Sequence, residues 1–315
     1  MKAVMTNFSH IPVLRDEAVN MLRVRDHGVY LDGTFGGGGY AKAILDSAAC
    51  RLVAIDRDPA AVARAQDFAR AYPDRFAICE GRFSDLSVLL EREGVTALDG
   101  AVFDLGVSSY QIDDPARGFS FRHNGPLDMQ MGSSTRDAAQ LVNFCSESEL
   151  ADILYEYGDE KASRKIAKAI VERRRTEKFE TTSDLAGVIR SIVRPDKSGI
   201  DPATRSFQAL RIAVNEELSD IAAALTQAAD LLGTGGRLVV VSFHSLEDRI
   251  VKRFFAAACG RLGGASRHDP AGFTQGPAAR FALVTKAAVG PSEAEMRANP
   301  RARSAKMRVM ERLAP

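Results

Sequence analysis

Tyr30–Leu45, YLDGTFGGGGYAKAIL, sets a carboxylate ahead of four consecutive glycines and an apolar run behind them. Backbone without Cβ atoms lets another group come close. Gly36, Gly38 and Ala41 fit the G-x-G-x-x-A spacing of a nucleotide-binding turn between strand and helix. The same spacing also describes a tight turn with no ligand. Three features favour a ligand. Strand-like VYLD precedes the glycines, helix-like YAKAIL follows them, and Asp56 closes the next apolar run 20 residues after Gly36. At that position a carboxylate can accept both hydroxyls of a ribose.

Asp32 separates the candidate nucleotides. A dinucleotide would lay its pyrophosphate over this loop, and a carboxylate there repels it. S-adenosylmethionine has no phosphate; it carries an ammonium and a sulfonium, which an acidic loop attracts. The plainer reading of Asp32 is a turn residue at a strand end. Phe83, two residues beyond a third strand-like run, is placed to cover an adenine, although a lone phenylalanine is by default a core residue. Asp104 ends a fourth apolar run in FDLGVSSYQ. Ligands of open α/β sheets sit off the carboxyl ends of the strands, so a carboxylate there points to function.

The elements that hold these residues alternate. VYLD (29–32), RLVAID (51–56), FAICEG (76–81) and AVFDLG (101–106) are strand-like, with helical stretches between them. Asp58 and Pro59 form a cap and first-turn pair for the helix after Asp56. Such alternation predicts a parallel, doubly wound α/β sheet. From 113 to 206 no strand signal stands out. SESELADILYEYG places Leu150, Ile153, Leu154 and Tyr157 on one helical face, with Ser146 and Glu149 at capping-box spacing and Gly158 as the stop. DEKASRKIAKAIVERRR and TSDLAGVIRSIV continue the helical block, the latter closed by Pro195. The α/β pattern resumes with a long helix entered at Asp201-Pro202. The strand GGRLVVVSFHS (235–245), a helix from Leu246 and a final strand pair at 281–287 and 305–313 follow. The expected division is an α/β domain of 1–112 and 207–315 around an all-α insert of 113–206.

Bulk composition adds limits. A formal net charge of +1 gives no general attraction to polyanions, so any such partner must be held by local patches. Lys161–Lys178 has eight basic residues against two acidic; Lys161, Arg164, Lys165, Lys168 and Arg175 share a helical face. Arg297–Arg312 has six basic residues against one acidic. A solvated helix face is the plainer account of such a run. The cysteines at 50, 79, 145 and 259 are scattered, which argues against an ordinary zinc site and for reduced thiols in the cytoplasm. The N-terminal residues lack a signal-peptide pattern, and no run is long enough to span a membrane.

HIPVLRDEAV, DGTFGGGGY, AIDRDP, DLGVSS, GFSFRHNGPLDMQM, RSFQALRIAVNEEL, GGRLVVVSFHSLEDRIVKRF and NPRARSAKMR together resemble the ribosomal RNA small-subunit methyltransferase H family, from His10 to the C-terminus. The resemblance implies a Rossmann-like, doubly wound S-adenosylmethionine-dependent methyltransferase sheet with an inserted all-α domain. It implies methylation of the exocyclic N4 of a cytidine, usually numbered 1402, in 16S rRNA of the small ribosomal subunit. Carried over by motif, the cofactor contacts are Gly38, Gly39, Tyr40, Asp56, Phe83, Asp104 and Gln111. Two positions depart from the family pattern. Tyr40 stands where the family commonly has histidine, so its contact would run through its backbone or a repositioned hydroxyl. Tyr110 stands where it usually has proline, which would free the loop carrying Gln111.

Cytosine N4 is a poor nucleophile and must lose a proton at or after transfer. The Asp/Asn-Pro-Pro-aromatic motif of many amino methyltransferases is absent after the fourth strand. Asp104, His244 in SFHS and Asp128 in GPLDMQM remain as candidate acceptors, with a loop-bonded structural histidine as the alternative for His244. Other function classes remain open. An NAD(P)-dependent oxidoreductase fits the glycines but not Asp32. A non-catalytic RNA-binding factor would keep the cofactor as a structural ligand. A methyltransferase of DNA or of a small molecule is the third. Nothing in the sequence separates a monomer from a homodimer, and no metal is expected.

Overall fold

The computed structural model describes residues 12–195, 197, 199–261 and 279–315. His10, where the family resemblance begins, and the N-terminal residues free of a signal-peptide pattern lie outside them. The chain forms two compact units, one of Met1–Gly106 with Leu218–Pro315 and one of Val107–Glu217.

The first unit is built on one sheet. Its described strands are β1 (Val29–Asp32), β2 (Arg51–Asp56), β3 (Phe76–Glu80), β4 (Leu98–Asp104), β5 (Leu232–Ser242), β6 (Phe281–Leu283) and β7 (Lys306–Arg312). They lie in the order β3-β2-β1-β4-β5-β7-β6. β1 to β5 are parallel, and β7 runs antiparallel between β5 and β6. Alternate strand residues feed opposite faces, as the two-residue period of a strand requires. Leu31, Val53, Ile55, Phe103 and Val240 pack with Leu86, Ile221, Leu225 and Phe255. Tyr30, Leu52, Ala54, Val102 and Val239 pack with Leu22, Ile44, Ala65 and Phe68. Helices therefore cover both faces, which is why the strands are near-continuous apolar runs.

Local signals set the helix starts. Asp58 accepts the Ala60 N–H at 3.0 Å, and Pro59 opens the helix Pro59–Ala71. The strands grow longer than their apolar runs suggest. β4 begins at Leu98 and β5 at Leu232, since Leu98 pairs with Leu232 across a register shift before the apolar core of each. β6 stops at Leu283, short of the expected 287.

The second unit is helical, with a core that includes Leu141, Leu150, Leu154, Ile166, Ile170, Phe179, Leu185, Ile189, Phe207 and Leu210. It is wider than 113–206 at both ends. Helix Thr204–Asn215 buries Phe207, Ala209 and Leu210 in this core, so it belongs here and not to the α/β unit. The long helix expected from Asp201-Pro202 is two helices. Glu216 at φ 54° breaks the chain between Thr204–Asn215 and Glu217–Leu231. The Ser146–Glu149 capping box forms as expected. Gly158 is not the stop. It is the last helical residue, and Asp159 takes the left-handed cap at φ 49°. Gly158 is small for another reason: a Cβ there would lie 2.7 Å from the Arg205 carbonyl oxygen of the neighbouring helix.

Candidate functional site

The strand order reverses between β1 and β4, and each of these strands ends in an aspartate. A reversal of this kind opens a crevice off the carboxyl ends, the usual ligand position in such sheets. Asp32 is fully buried. Its Oδ1 accepts the Thr34 N–H at 3.1 Å; its Oδ2 makes no hydrogen bond of ordinary geometry, although the Ala41 backbone N–H acts on the carboxyl. Burial, with Asp56 nearby, pushes its carboxyl up to about 7. Asp104 is half-buried and its Oδ1 has no hydrogen-bond partner. Burial first, then the charges of Asp32 and Glu247, hold this carboxyl well above the usual carboxylate range. The charges that raise them are carboxylates, Asp56 for Asp32 and Asp32 with Glu247 for Asp104. Burial thus biases these acids toward their protonated forms in the ligand-free protein, and a bound cation would favour their ionised ones.

Thr34 joins the two strand ends. It donates its N–H to Asp32, and its Oγ1 accepts the Asp104 N–H at 2.7 Å. The sequence reasoning passed over it, although a hydroxyl two residues beyond an aspartate is a turn signal. Glu247 was passed over as well. It is fully buried and acts on Asp104 through its charge; its spacing after His244 is that of a capping box.

The glycine turn is strained for any other residue. Gly36 and Gly38 sit at φ 53° and 77°. A Cβ on Gly38 would lie 2.8 Å from the Phe35 ring. Asp56 crosses to this turn. Its Oδ2 accepts the Gly36 N–H at 2.7 Å and its Oδ1 accepts the Asp58 N–H at 2.9 Å. Burial raises this carboxyl too, against those two bonds. A carboxylate has about four acceptor positions, so Asp56 can hold the loop and still accept hydroxyls.

Gly39 opens the helix Gly39–Ser47, and a Cβ on it would meet the Pro12 ring at 2.3 Å. Tyr40 is buried, and its hydroxyl donates to the Val13 carbonyl. The hydroxyl is therefore used in packing, and the backbone is what Tyr40 can offer a ligand. Phe83 is half-buried at the start of a single 3-10 turn, Phe83–Asp85, with its ring 6.1 Å from that of Phe103, edge to face.

His244 caps the helix Ser245–Ala258. Its Nδ1 accepts the Glu247 N–H at 3.4 Å, and its Nε2 lies 3.0 Å from Glu247 Oε1. The backbone N–H groups of Phe243 and His244 donate to Glu247 Oε2 at 2.7 and 3.2 Å. The ring is thus engaged in a cap.

Gln111 and Asp128 lie in the helical unit. Gln111 is buried in a capping box with Ser108: its N–H donates to Ser108 Oγ at 3.3 Å, and its Oε1 accepts the Ser108 N–H at 2.9 Å. The loop expected to be loosened by Tyr110 is held by that cap. Asp128 Oδ1 accepts the Gln130 N–H at 3.1 Å, a turn bond, and burial raises its carboxyl. Of the two basic clusters, Lys161, Arg164, Lys165, Lys168 and Arg175 are all exposed. The C-terminal cluster is largely engaged: Lys306 and Arg308 pair with Asp248, and Arg312 donates to the carbonyls of Ala229 and Asp230.

Residues 7–313 match the MraW methylase family. The chain is 64% identical to the ribosomal RNA small subunit methyltransferase H of Acidiphilium cryptum, over 97% of this chain and 98% of that one. It is 55% identical to the protein of the same name from Paramagnetospirillum magneticum, over 97% and 96%. Among solved structures, an rRNA methylase from Streptococcus thermophilus aligns with a TM-score of 0.41 at 11% identity, covering 95% of this chain and 94% of that one.

Proposed function

The chain belongs to the MraW methylase family, and we propose that it transfers a methyl group from S-adenosylmethionine to the exocyclic N4 of cytidine 1402 in 16S rRNA of the small ribosomal subunit. The names of its relatives support rRNA of the small subunit as the substrate. The family resemblance of its motifs supports the base and the atom. The reading sets the enzyme in the cytoplasm with its substrate. No described helix is long and apolar enough to cross a membrane.

The observation that carries the cofactor is the pair of carboxylates closing β1 and β4, each with an oxygen that makes no hydrogen bond of ordinary geometry. A cationic ligand favours their ionised forms, and a phosphate would add to the repulsion. Asp32, the turn of Gly36, Gly38 and Gly39, and the Tyr40 backbone would hold the amino-acid half. Asp56 would accept the ribose hydroxyls and Phe83 would cover the adenine. When bound, S-adenosylmethionine supplies an electrophilic methyl carbon on its sulfonium.

The protein must aim the amine and remove its proton. Asp104 is the better acceptor of the candidates, since it alone combines a place at the strand ends with a free oxygen. With the cofactor's positive charge favouring its ionised form, it would accept a hydrogen bond from the amine, localising the nitrogen lone pair, and take the proton as the new bond forms. His244 orients the loop after β5 through its cap. Gln111 would contact the cofactor, as the family motif implies, while the exposed Lys161, Arg164, Lys165 and Lys168 serve the RNA side, where they meet phosphates. The target base must reach the crevice unstacked.

The test is methyl transfer from labelled cofactor to unmodified 30S subunits, followed by digestion and nucleoside mass spectrometry. Label in N4-methylcytidine is expected. Label in another nucleoside, or none while the cofactor still binds, overturns the reading and favours a non-catalytic RNA-binding factor.

A further inference from the structure

The turns that follow β2 and β3 are tied to one helix. Asp220, in Glu217–Leu231, is 3% exposed. Its carboxylate takes a bidentate pair from Arg82, Nε to Oδ2 at 2.9 Å and Nη2 to Oδ1 at 2.6 Å. Arg57 Nη1 lies 3.5 Å from the same Oδ2. Arg57 directly follows Asp56, and Arg82 directly precedes Phe83. One buried carboxylate therefore joins both turns.

Seven residues along the helix, on the same face, Gln227 also grips the second turn. Its Oε1 accepts the Ser87 N–H at 3.0 Å, and its Nε2 donates to the Ser84 carbonyl. The turn Phe83–Asp85 has two short-range backbone bonds, Asp85 N–H to the Arg82 carbonyl at 3.0 Å and Leu86 N–H to the Phe83 carbonyl, and the Asp220 and Gln227 side chains tie it to the helix. A buried ion pair adds little net stability over an apolar replacement. What a bidentate fork supplies is fixed geometry.

We infer that Asp220 and Gln227 are positioning residues for the adenosine half of the cofactor, setting where Asp56 and Phe83 stand relative to each other. The inference rests on the proposed reading that those two residues hold the ribose and the adenine. Neither Asp220 nor Gln227 touches the reacting atoms, so their removal should weaken cofactor capture and spare the chemical step.

The variants Gln227→Met and Asp220→Asn are assayed as full-length enzyme with 30S subunits, below the melting temperature of every variant. Adenosine serves as the inhibitory probe of the adenosine seat. KM for S-adenosylmethionine is expected to rise roughly tenfold for Asp220→Asn, the effect of one lost charge-assisted hydrogen bond, and roughly fivefold for Gln227→Met, which loses neutral ones. The kcat at saturating cofactor should stay within about twofold, and adenosine inhibition should weaken by the same factor as KM. An unchanged KM, or a fall in kcat with adenosine inhibition intact, overturns the inference. If Asp220→Asn does not fold, Arg82→Lys keeps the charge and loses the fork, and the same outcomes apply. Phe83→Ala tests the underlying reading separately. If it leaves adenosine inhibition untouched, the seat is misassigned, whereas weaker inhibition with Phe83→Ala and none with the other two refutes the positioning role alone.

Discussion

Asp32→Asn should make the ligand-free protein more stable and the cofactor complex weaker. In the folded chain the Asp32 carboxyl is raised from 3.8 to about 7, chiefly by burial. The folded state then holds this proton more tightly than the unfolded state does. Between about pH 4 and 7 the folded chain binds more protons, so raising the pH lowers stability. At about 1.4 kcal/mol per pH unit, the group costs about 4 kcal/mol once fully ionised. Asparagine keeps the oxygen that accepts the Thr34 N–H and removes the charge. Guanidinium unfolding of both proteins, without cofactor, should give curves whose difference grows from near zero at about pH 4 to about 4 kcal/mol at about pH 8. Groups that do not interact with Asp32 cancel in that difference; Asp104, whose carboxyl the Asp32 charge raises, does not. Calorimetry should show proton release when the wild type binds cofactor near neutral pH, and little of it for the variant. A stability difference with no pH slope would refute the reasoning, as would a variant that binds cofactor as tightly as the wild type.

Four further outcomes are expected. Asp104→Asn should lower kcat by about 10²–10⁴-fold, the range for losing a positioned base, with cofactor affinity by calorimetry falling far less. Tyr40→Phe removes the bond to the Val13 carbonyl; it should cost about 1 kcal/mol in unfolding experiments and leave KM for the cofactor nearly unchanged. Gly38→Ala places a Cβ against the Phe35 ring at φ 77°, and cofactor binding by fluorescence or calorimetry should be largely lost. Lys165→Glu with Lys168→Glu should weaken 30S binding and flatten its salt dependence, whereas reversal of Lys306, already paired with Asp248, should act mainly on stability.

Much of the first unit was legible because each signal was local. Four apolar runs became β1 to β4, and Asp58-Pro59 opened its helix where the residue types required. Asp32, Gly36, Gly38, Asp56 and Asp104 could be singled out because a strand end, a bare turn and an acid leave marks within a few residues. Contacts between distant segments left none. Thr34 joining β1 to β4, Asp220 joining the turns after β2 and β3, and the burial of helix Thr204–Asn215 in the helical core all depend on partners far along the chain. Tyr40 shows the same limit: its type marked a departure, but only packing showed its hydroxyl bonded to Val13.

The acidic crevice also explains why the site is built so firmly around itself. Asp32, Asp56 and Asp104 are all raised by burial, so each carries an electrostatic cost in the ligand-free protein. Thr34 ties β1 to β4, Asp56 ties the glycine turn to β2, and Asp220 holds the turns beyond β2 and β3. Each tie leaves Asp32 Oδ2 and Asp104 Oδ1 without a hydrogen bond of ordinary geometry. A neutral side chain at Asp32 would stabilise the fold and weaken the attraction for a cation. The cost of ionising these buried acids is therefore held in the ligand-free protein and offset when a positively charged ligand enters.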